Sequence, residues 1–436
     1  MKHRKAPWLK FFFKLMRTRV SNRVEIFSMA ASCGDIVRCI GRPSPYLINS
    51  PEAIKHIFIT NESNYTKEGS SFKRAKSALG CGLLTNSGAE WKASRDATQS
   101  QFHYKHLTPY LPAIAEKTTE FLDSWEERAN TTVDLVHEMS TLVFEISAMT
   151  LFGADVHKEV NATIPMIRFM NDRLIKTLFI NTKLPLPKYR RYHRYYNILN
   201  NLMVQMLCEP HPYAADLKPA LDAFWYTPGL DEAEKQRRLD EAKNFMIAGH
   251  ETTAAALSWT LYLLAKNPDC YAQLQHEIDT VLDDSSPTLE QLDQLPYTEM
   301  VINEAMRLYP PIWVIERVAI DDDIVSNYLI PKNSIVLICP YTIHRHPAHW
   351  NNPEEFNPEN FNDENRRQRH KNAYIPFGTG PRVCIGKQLA MLMMKTILPM
   401  LLQRFRIGIH PHFEVDIDPL VTLKPATEIP NLILPR

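Results

Sequence analysis

Residues 231–266 read as one uninterrupted helix, with apolar residues at helical spacing and a single interior glycine, Gly249. At 1.5 Å per residue it would be about 54 Å long, enough to cross a whole domain. A rod of that length needs other helices around it, and helical periodicity does dominate from 87 to 266. The helix should stop at Asn267-Pro268, because a residue before proline avoids the helical region. With 44% apolar and 23% charged residues, the chain has the balance of a folded globular protein. Fifty Lys+Arg against forty-nine Asp+Glu give a net charge of +1. A chain so balanced is not built as a whole to coat nucleic acid or an anionic membrane.

Other segments read as follows. Residues 35–60 suggest a hairpin followed by a short helix with Ser50 as cap and Pro51 in its first turn. Residues 65–86 look like loop. Leu184-Pro-Leu-Pro interrupts the helical region. Thr288-Leu-Glu-Gln291 is a capping box. A helix begins at Pro296 and ends before Pro310-Pro311. Residues 312–345 suggest short strands, and 346–380 read as coil. A helix follows Cys384 to about residue 403, and the tail suggests a final hairpin through Val421-Thr-Leu and Asn431-Leu-Ile-Leu. The expected organisation is a basic lead-in, 1–34, and a single domain, 35–436, mainly α with a small β-rich region.

Met1–Val20 carries seven Lys/Arg and the cluster Phe11-Phe12-Phe13. A solvated lead-in is the simpler expectation, with weak membrane-surface contact as a basic amphipathic helix the alternative. No run of 18 apolar residues occurs, so no transmembrane helix is expected. Only 13 glycines are present. Thr85 and Val383 stand where the third glycine of a dinucleotide loop would be, and no nucleotide-binding loop is visible. Seven scattered cysteines without a C-x-x-C suggest a reducing compartment and no structural zinc.

Three motifs carry chemistry. In Phe377-Gly378-Thr-Gly-Pro-Arg382-Val-Cys384-Ile-Gly386, a lone cysteine directly precedes a helix. The helix dipole and unpaired amides there favour a thiolate and can tune a metal bound to it. The glycines let a flat cofactor approach the backbone, and Arg382 offers a cation to a carboxylate at its edge. For a lone cysteine, a core residue beside a turn would be the better expectation. The full pattern, however, resembles the heme-ligand loop of the cytochrome P-450 family. Glu304-Ala-Met-Arg307 places two opposite charges on one helix face, and resembles that family's buried structural ion pair. In Ala248-Gly-His250-Glu251-Thr252-Thr253, the Thr252 hydroxyl can compete for the carbonyl of Ala248 and open a polar notch in the helix. This segment resembles the family's oxygen-activation motif, and His250 reads as a satisfied helix histidine.

Lesser similarities agree. Trp91 and Arg95, and Arg317 after Pro310-Pro311, resemble propionate-binding positions. His344-Arg-His-Pro, Trp350 and Phe356-Asn-Pro-Glu359 resemble the meander before the heme loop. The resemblance implies the P-450 fold, with heme b (iron protoporphyrin IX) between the long helix and the Cys384 helix. It implies Cys384 as axial iron ligand, with Ala248, Phe377, Gly378 and Gly386 beside the cofactor. Thr252 and Glu251 would handle protons. The implied activity is monooxygenation of an apolar substrate, fatty acid-like, steroid or terpenoid, with dioxygen. A heme-thiolate isomerase or peroxygenase, or a non-enzymatic heme or ligand-binding protein, are the alternatives. Phe245, Met246, Ile312, Trp313 and Val314 are candidate pocket residues. Electrons would come from a separate ferredoxin or flavodoxin-like protein with its NAD(P)H reductase, docking on Arg366, Arg367, Arg369, His370 and Lys371. No nucleic-acid partner is implied. Location would be cytoplasmic or peripheral on a membrane. Two departures stand out: Asn360 replaces the arginine that usually joins the ion pair, and Gln99-Ser-Gln101 replaces Gln-Pro before Phe102.

Overall fold

The computed structural model describes residues 23–39, 44–176, 187–208, 231–283, 285–410 and 412–436. The segment Met1–Val20 and residues 184–186 of the Leu184-Pro-Leu-Pro stretch lie outside them. Two compact units are present: Met1–Lys73 with Met300–Ile385 and Ile417–Lys424, and Arg74–Glu299 with Gly386–Asp416 and Pro425–Arg436.

The first unit is built on a five-stranded sheet. Its strands are β1 (Ile36–Arg38), β2 (Tyr46–Ile48), β3 (Tyr65–Thr66), β4 (Ile315–Ala319) and β5 (Ile335–Ile338), in the order β1-β2-β5-β4-β3. The hairpin β1–β2 pairs Ile36 with Ile48. β2 runs parallel to β5, and the remaining pairs are antiparallel. Val336 and Ile338 alternate inward along β5, as a period of two requires. They meet Ile36, Ile48, Ile54 and Phe58 in one core cluster. The helix Pro51–Lys55 supplies Ile54, and Ser50 caps it by accepting from the Ala53 amide at 3.4 Å. The chain then makes a π-helical turn, His56–Thr60. A second cluster packs helix Arg23–Ala31, through Val24, Met29 and Ala30, around Trp313 and Leu47.

In the second unit the long helix spans Glu232–Lys266, capped by Asp231, whose side chain accepts from the Glu234 amide at 2.8 Å. It packs on helix Leu135–Phe152, which is apolar on nearly every face and ends at Gly153 in the left-handed conformation that suits a helix stop. Among the described residues this is one helix long and apolar enough to cross a membrane, but 89% of it is buried inside the protein, as a core helix is.

Two local expectations need correction. Residues 65–86 contain the helix Ser70–Leu79. The tail's hairpin is not the one expected: Leu423–Pro425 pairs with the nearby Ile417–Pro419, not with the 431–434 stretch, while Pro430–Leu432 pairs with Thr132–Asp134 and Leu434–Pro435 with Phe405–Arg406. The last two strands find their ladder partners far along the chain, which local pattern does not encode.

Candidate active site

Cys384 is exposed and unbridged, two residues before Gly386, the glycine cap of helix Lys387–Arg404. That cap has no side-chain oxygen for the first-turn amides. The Cys384 amide donates to Phe377 O at 2.9 Å, and Val383 N donates to Gly380 O at 3.0 Å, so the loop is held by its own backbone. Gly378 and Gly380 both have positive φ, 72° and 75°. Their reasons differ. A side chain at Gly380 would overlap the Phe58 carbonyl, whereas a Cβ at Gly378 would meet open space. A cradle free of protein atoms thus lies at the second residue of the cysteine loop.

The same unit gathers cations. Arg317 is buried on β4, and its guanidinium lies over the Phe58 ring at 4.6 Å. Burial, then repulsion from Arg382, pushes Arg317 down to about 9. Arg382 is lowered to about 10, chiefly by burial. Lys67 is held well below its usual range by burial and by both arginines. Glu62 is the carboxylate that acts against this on the two arginines. Three cations crowded together call for an anionic guest. A flat group with two carboxylates and an iron that takes a thiolate fits this donor set, as heme b does. Lys67 escaped the sequence reading. The pairing of Tyr65 with Ala319 and Thr66 with Val318 continues to set it against Arg317, a register invisible in local sequence.

Behind the loop lies the ion pair. Arg307 and Glu304 are fully buried, bonded at 2.7 and 2.8 Å. Arg307 also donates to the carbonyls of His344 at 3.0 Å, Pro353 at 2.6 Å and Glu355 at 2.8 Å. Glu304 accepts from the Asn357 amide at 2.8 Å and from Asn360 Nδ2 at 3.1 Å. Asn360 therefore keeps the hydrogen bond of the expected arginine but not its charge. The charge returns from Arg369. Its guanidinium donates to Asn360 O at 2.7 Å, lies over Trp350 at 4.2 Å and over Phe361 at 4.8 Å, and interacts electrostatically with Glu304. Arg369 thus belongs to this core, while Arg366, Arg367 and Lys371 are exposed.

In the second unit the long helix is buried from Asp240 to Met246 and from Thr253 to Leu264. Between them Ala248 is exposed and Glu251 and Thr252 are half-buried. The Thr252 hydroxyl donates to Ala248 O at 2.8 Å, the competition with the helix ladder expected of it. Gly249 does not make this window: a Cβ there would meet only Leu151 and Ser147, at 4.0 Å. His250 is buried, edge-on to Phe144 at 5.2 Å. Burial lowers it to about 4, opposed by the Ser140 backbone carbonyl. Trp91 and Arg95 share a face of helix Gly88–Thr98, and Arg95 Nε donates to Gln99 Oε1 at 2.9 Å, which gives the unusual Gln99 a role.

The pocket candidates divide. Phe245 and Met246 are buried on the long helix, with Phe245 stacked on Phe102 at 5.5 Å. Ile312 is half-buried. Trp313 is a core residue rather than a pocket wall. It meets Phe27 edge-on at 5.4 Å and donates to Leu420 O at 3.0 Å. Val314 packs against the same cluster.

Comparison with known proteins agrees with this geometry. The chain matches the family described as Cytochrome P450 over residues 4–429. It is 30% identical over 386 residues to Cyclooctat-9-en-7-ol 5-monooxygenase of Streptomyces melanosporofaciens, covering 86% of this chain and 83% of that protein. It is 30% identical over 417 residues to Protein LUTEIN DEFICIENT 5, chloroplastic, of Arabidopsis thaliana, covering 89% and 70%. The crystal structure of the cytochrome P450DA heme domain superposes with a TM-score of 0.84 over 95% of this chain and 93% of that one, at 24% identity. With its fold, its cysteine loop and its cation cluster in accord, this chain belongs to the heme-binding cytochrome P-450 family of monooxygenases.

Proposed function

We propose that residues 35–436 act as one catalytic domain that hydroxylates an apolar, terpenoid-sized substrate. The observation that carries the cofactor assignment is the exposed Cys384 thiol in the unit that also gathers Lys67, Arg317 and Arg382. Cys384 would ligate the iron. Lys67, Arg317 and Arg382 would meet the propionates, the role that the family resemblance also gives Trp91 and Arg95. Ala248, Phe377, Gly378 and Gly386 would border the macrocycle. Thiolate-ligated heme supplies dioxygen activation.

The rest falls to the chain. The Thr252 hydroxyl, which donates to Ala248 O at 2.8 Å, would turn from that carbonyl to hold a water at the site. Glu251, half-buried beside it, carries protons from solvent. Phe245 and Met246 give an apolar wall that excludes water. Terpenoid is favoured over fatty acid because the first relative above carries a cyclooctatenol monooxygenase name. Spectral titration with a diterpene alcohol, a steroid and a fatty acid tests this. The diterpene should bind most tightly, and preference for the fatty acid would reverse the assignment. Thr252→Ala should keep substrate affinity but release peroxide in place of product. Electrons would come from a cytoplasmic ferredoxin or flavodoxin-like carrier drawn by Arg366, Arg367 and Lys371.

A further inference from the structure

Within the second unit, the segment Leu79–Asn86 is fastened to the first half of the long helix by three side chains within about one turn, Asp240, Glu241 and Asn244. Asp240 Oδ2 accepts from the Cys81 amide at 2.9 Å. Glu241 Oε2 accepts from the Leu83 amide at 2.7 Å. Asn244 Nδ2 donates to Leu79 O at 3.2 Å and to Asp240 O at 2.7 Å. The loop lies so close that a side chain at Gly80 would overlap the Asp240 carboxyl, and one at Gly82 would crowd Glu241 and Asn244. Thr85 closes the loop internally, accepting from Gly82 N at 3.0 Å and donating to Gly80 O at 2.7 Å.

Two atoms in this fastening are left over. Glu241 Oε1 and Asn244 Oδ1 are buried acceptors with no hydrogen-bond partner. They sit one helical turn apart, on residues that both line the position of Gly82. Asn244 cannot be turned over to help, because its amide nitrogen already serves two carbonyls. Two buried acceptors on neighbouring residues cost free energy unless a donor reaches them. We propose that Glu241 carries a proton and shares it with Asn244, and that this shared proton latches the Gly80–Asn86 loop onto the long helix.

The electrostatics agree. Burial raises the Glu241 carboxyl to about 7. Asp240 beside it adds to the rise, and the Leu83 amide and Arg237 oppose it. The Asp240 charge is taken up by Lys243 at 2.9 Å. The loop itself brings no ionisable group except the Cys81 thiol. The docked pKa lies above the ordinary carboxyl value, so docking binds protons. The latch is strongest at acid pH and weakens as pH rises towards 7. Phe245, Ala248 and Thr252 follow Glu241 on the same helix face, at steps of four, three and four. The loop therefore closes over the helix face that leads to the oxygen window, and its release would be governed by pH.

Amide hydrogen exchange at Cys81 and Leu83, corrected for intrinsic rates, tests the latch on the full heme-loaded chain between pH 5.5 and 8. Wild-type protection should fall more than about tenfold across that range. Glu241→Gln keeps an acceptor for Leu83 and a permanent donor for Asn244, so its protection should stay high and flat. Asn244→Leu removes the acceptor of the proton and should move the fall to lower pH. Protection that ignores pH in the wild type, or a fall that survives unchanged in Glu241→Gln, would overturn the latch. An unmoved midpoint in Asn244→Leu would overturn the sharing.

Discussion

Glu304 and Arg307 in the first unit are as deeply buried as Glu241 and Asn244 in the second, yet the protein completes one set and leaves the other open. Each buried oxygen of Glu304 has a donor, and Arg307 serves three carbonyls besides its partner. On the long helix, Glu241 Oε1 and Asn244 Oδ1 lack partners. A completed polar network in a poorly polarisable interior rigidifies its surroundings, whereas an incomplete one marks where protons, waters or a moving segment enter. The first unit presents the cysteine loop and must hold it still. The second carries the helix in which, on the proposed function and the proposed latch, protons and a loop would move.

The contrast can be broken most decisively at Arg307. Arg307→Ala leaves a buried carboxylate unpaired and should cost about 3–5 kcal/mol, read as a collapse of melting temperature and heme content. A loss under about 1 kcal/mol would mean that the network is not what holds the unit.

His250 should act at acid pH. Its buried ring titrates at about 4, below the ordinary value of 6.5. The unfolded chain therefore binds the extra proton between those values, and stability drains away as pH falls from 6.5 towards 4. The full term is about 3 kcal/mol at the acid end. His250→Leu should flatten that limb in urea melts at pH 4.5 and 7, with a smaller change at pH 7.

Asn360 and Arg369 sharpen the comparison. Arg369→Gln should cost about 1–3 kcal/mol, the range for a hydrogen bond to a charged group. Adding Asn360→Arg should restore most of it by returning the cation to the usual place. Additive losses in the double mutant would show that Arg369 does not stand in for the missing charge. Reversal of Arg366 and Arg367, by contrast, should leave stability alone and slow reduction by an acidic carrier.

The smallest effect is expected at Gly249. A Cβ there makes ordinary contacts, and glycine is costly inside a helix, so Gly249→Ala should raise stability by up to about 1 kcal/mol. A clear loss would mean that this glycine is needed for helix opening.

Motifs written within a few residues were legible in the sequence: the cysteine loop, the i,i+3 ion pair and the Thr252 bond to Ala248. What stayed hidden depends on partners far along the chain. Lys67 meets Arg317 only through β3–β4 register. Arg369 reaches Glu304 only after the segment 353–369 folds back. The tail strands look like a hairpin because their pattern carries period, not partner. Trp313 looks the same in sequence whether it faces ligand or core; in the structure it packs in the cluster with Val24, Leu47 and Leu423 and donates to Leu420 O.

The central claim is that Cys384 is the thiolate ligand of a heme iron. The reduced protein under carbon monoxide reports this directly. The wild type should show the red-shifted Soret band of a thiolate-ligated heme, as should single replacements of the other six cysteines, and Cys384→Ala should lose it. A Cys384→Ala protein that binds heme and keeps that band would contradict the account.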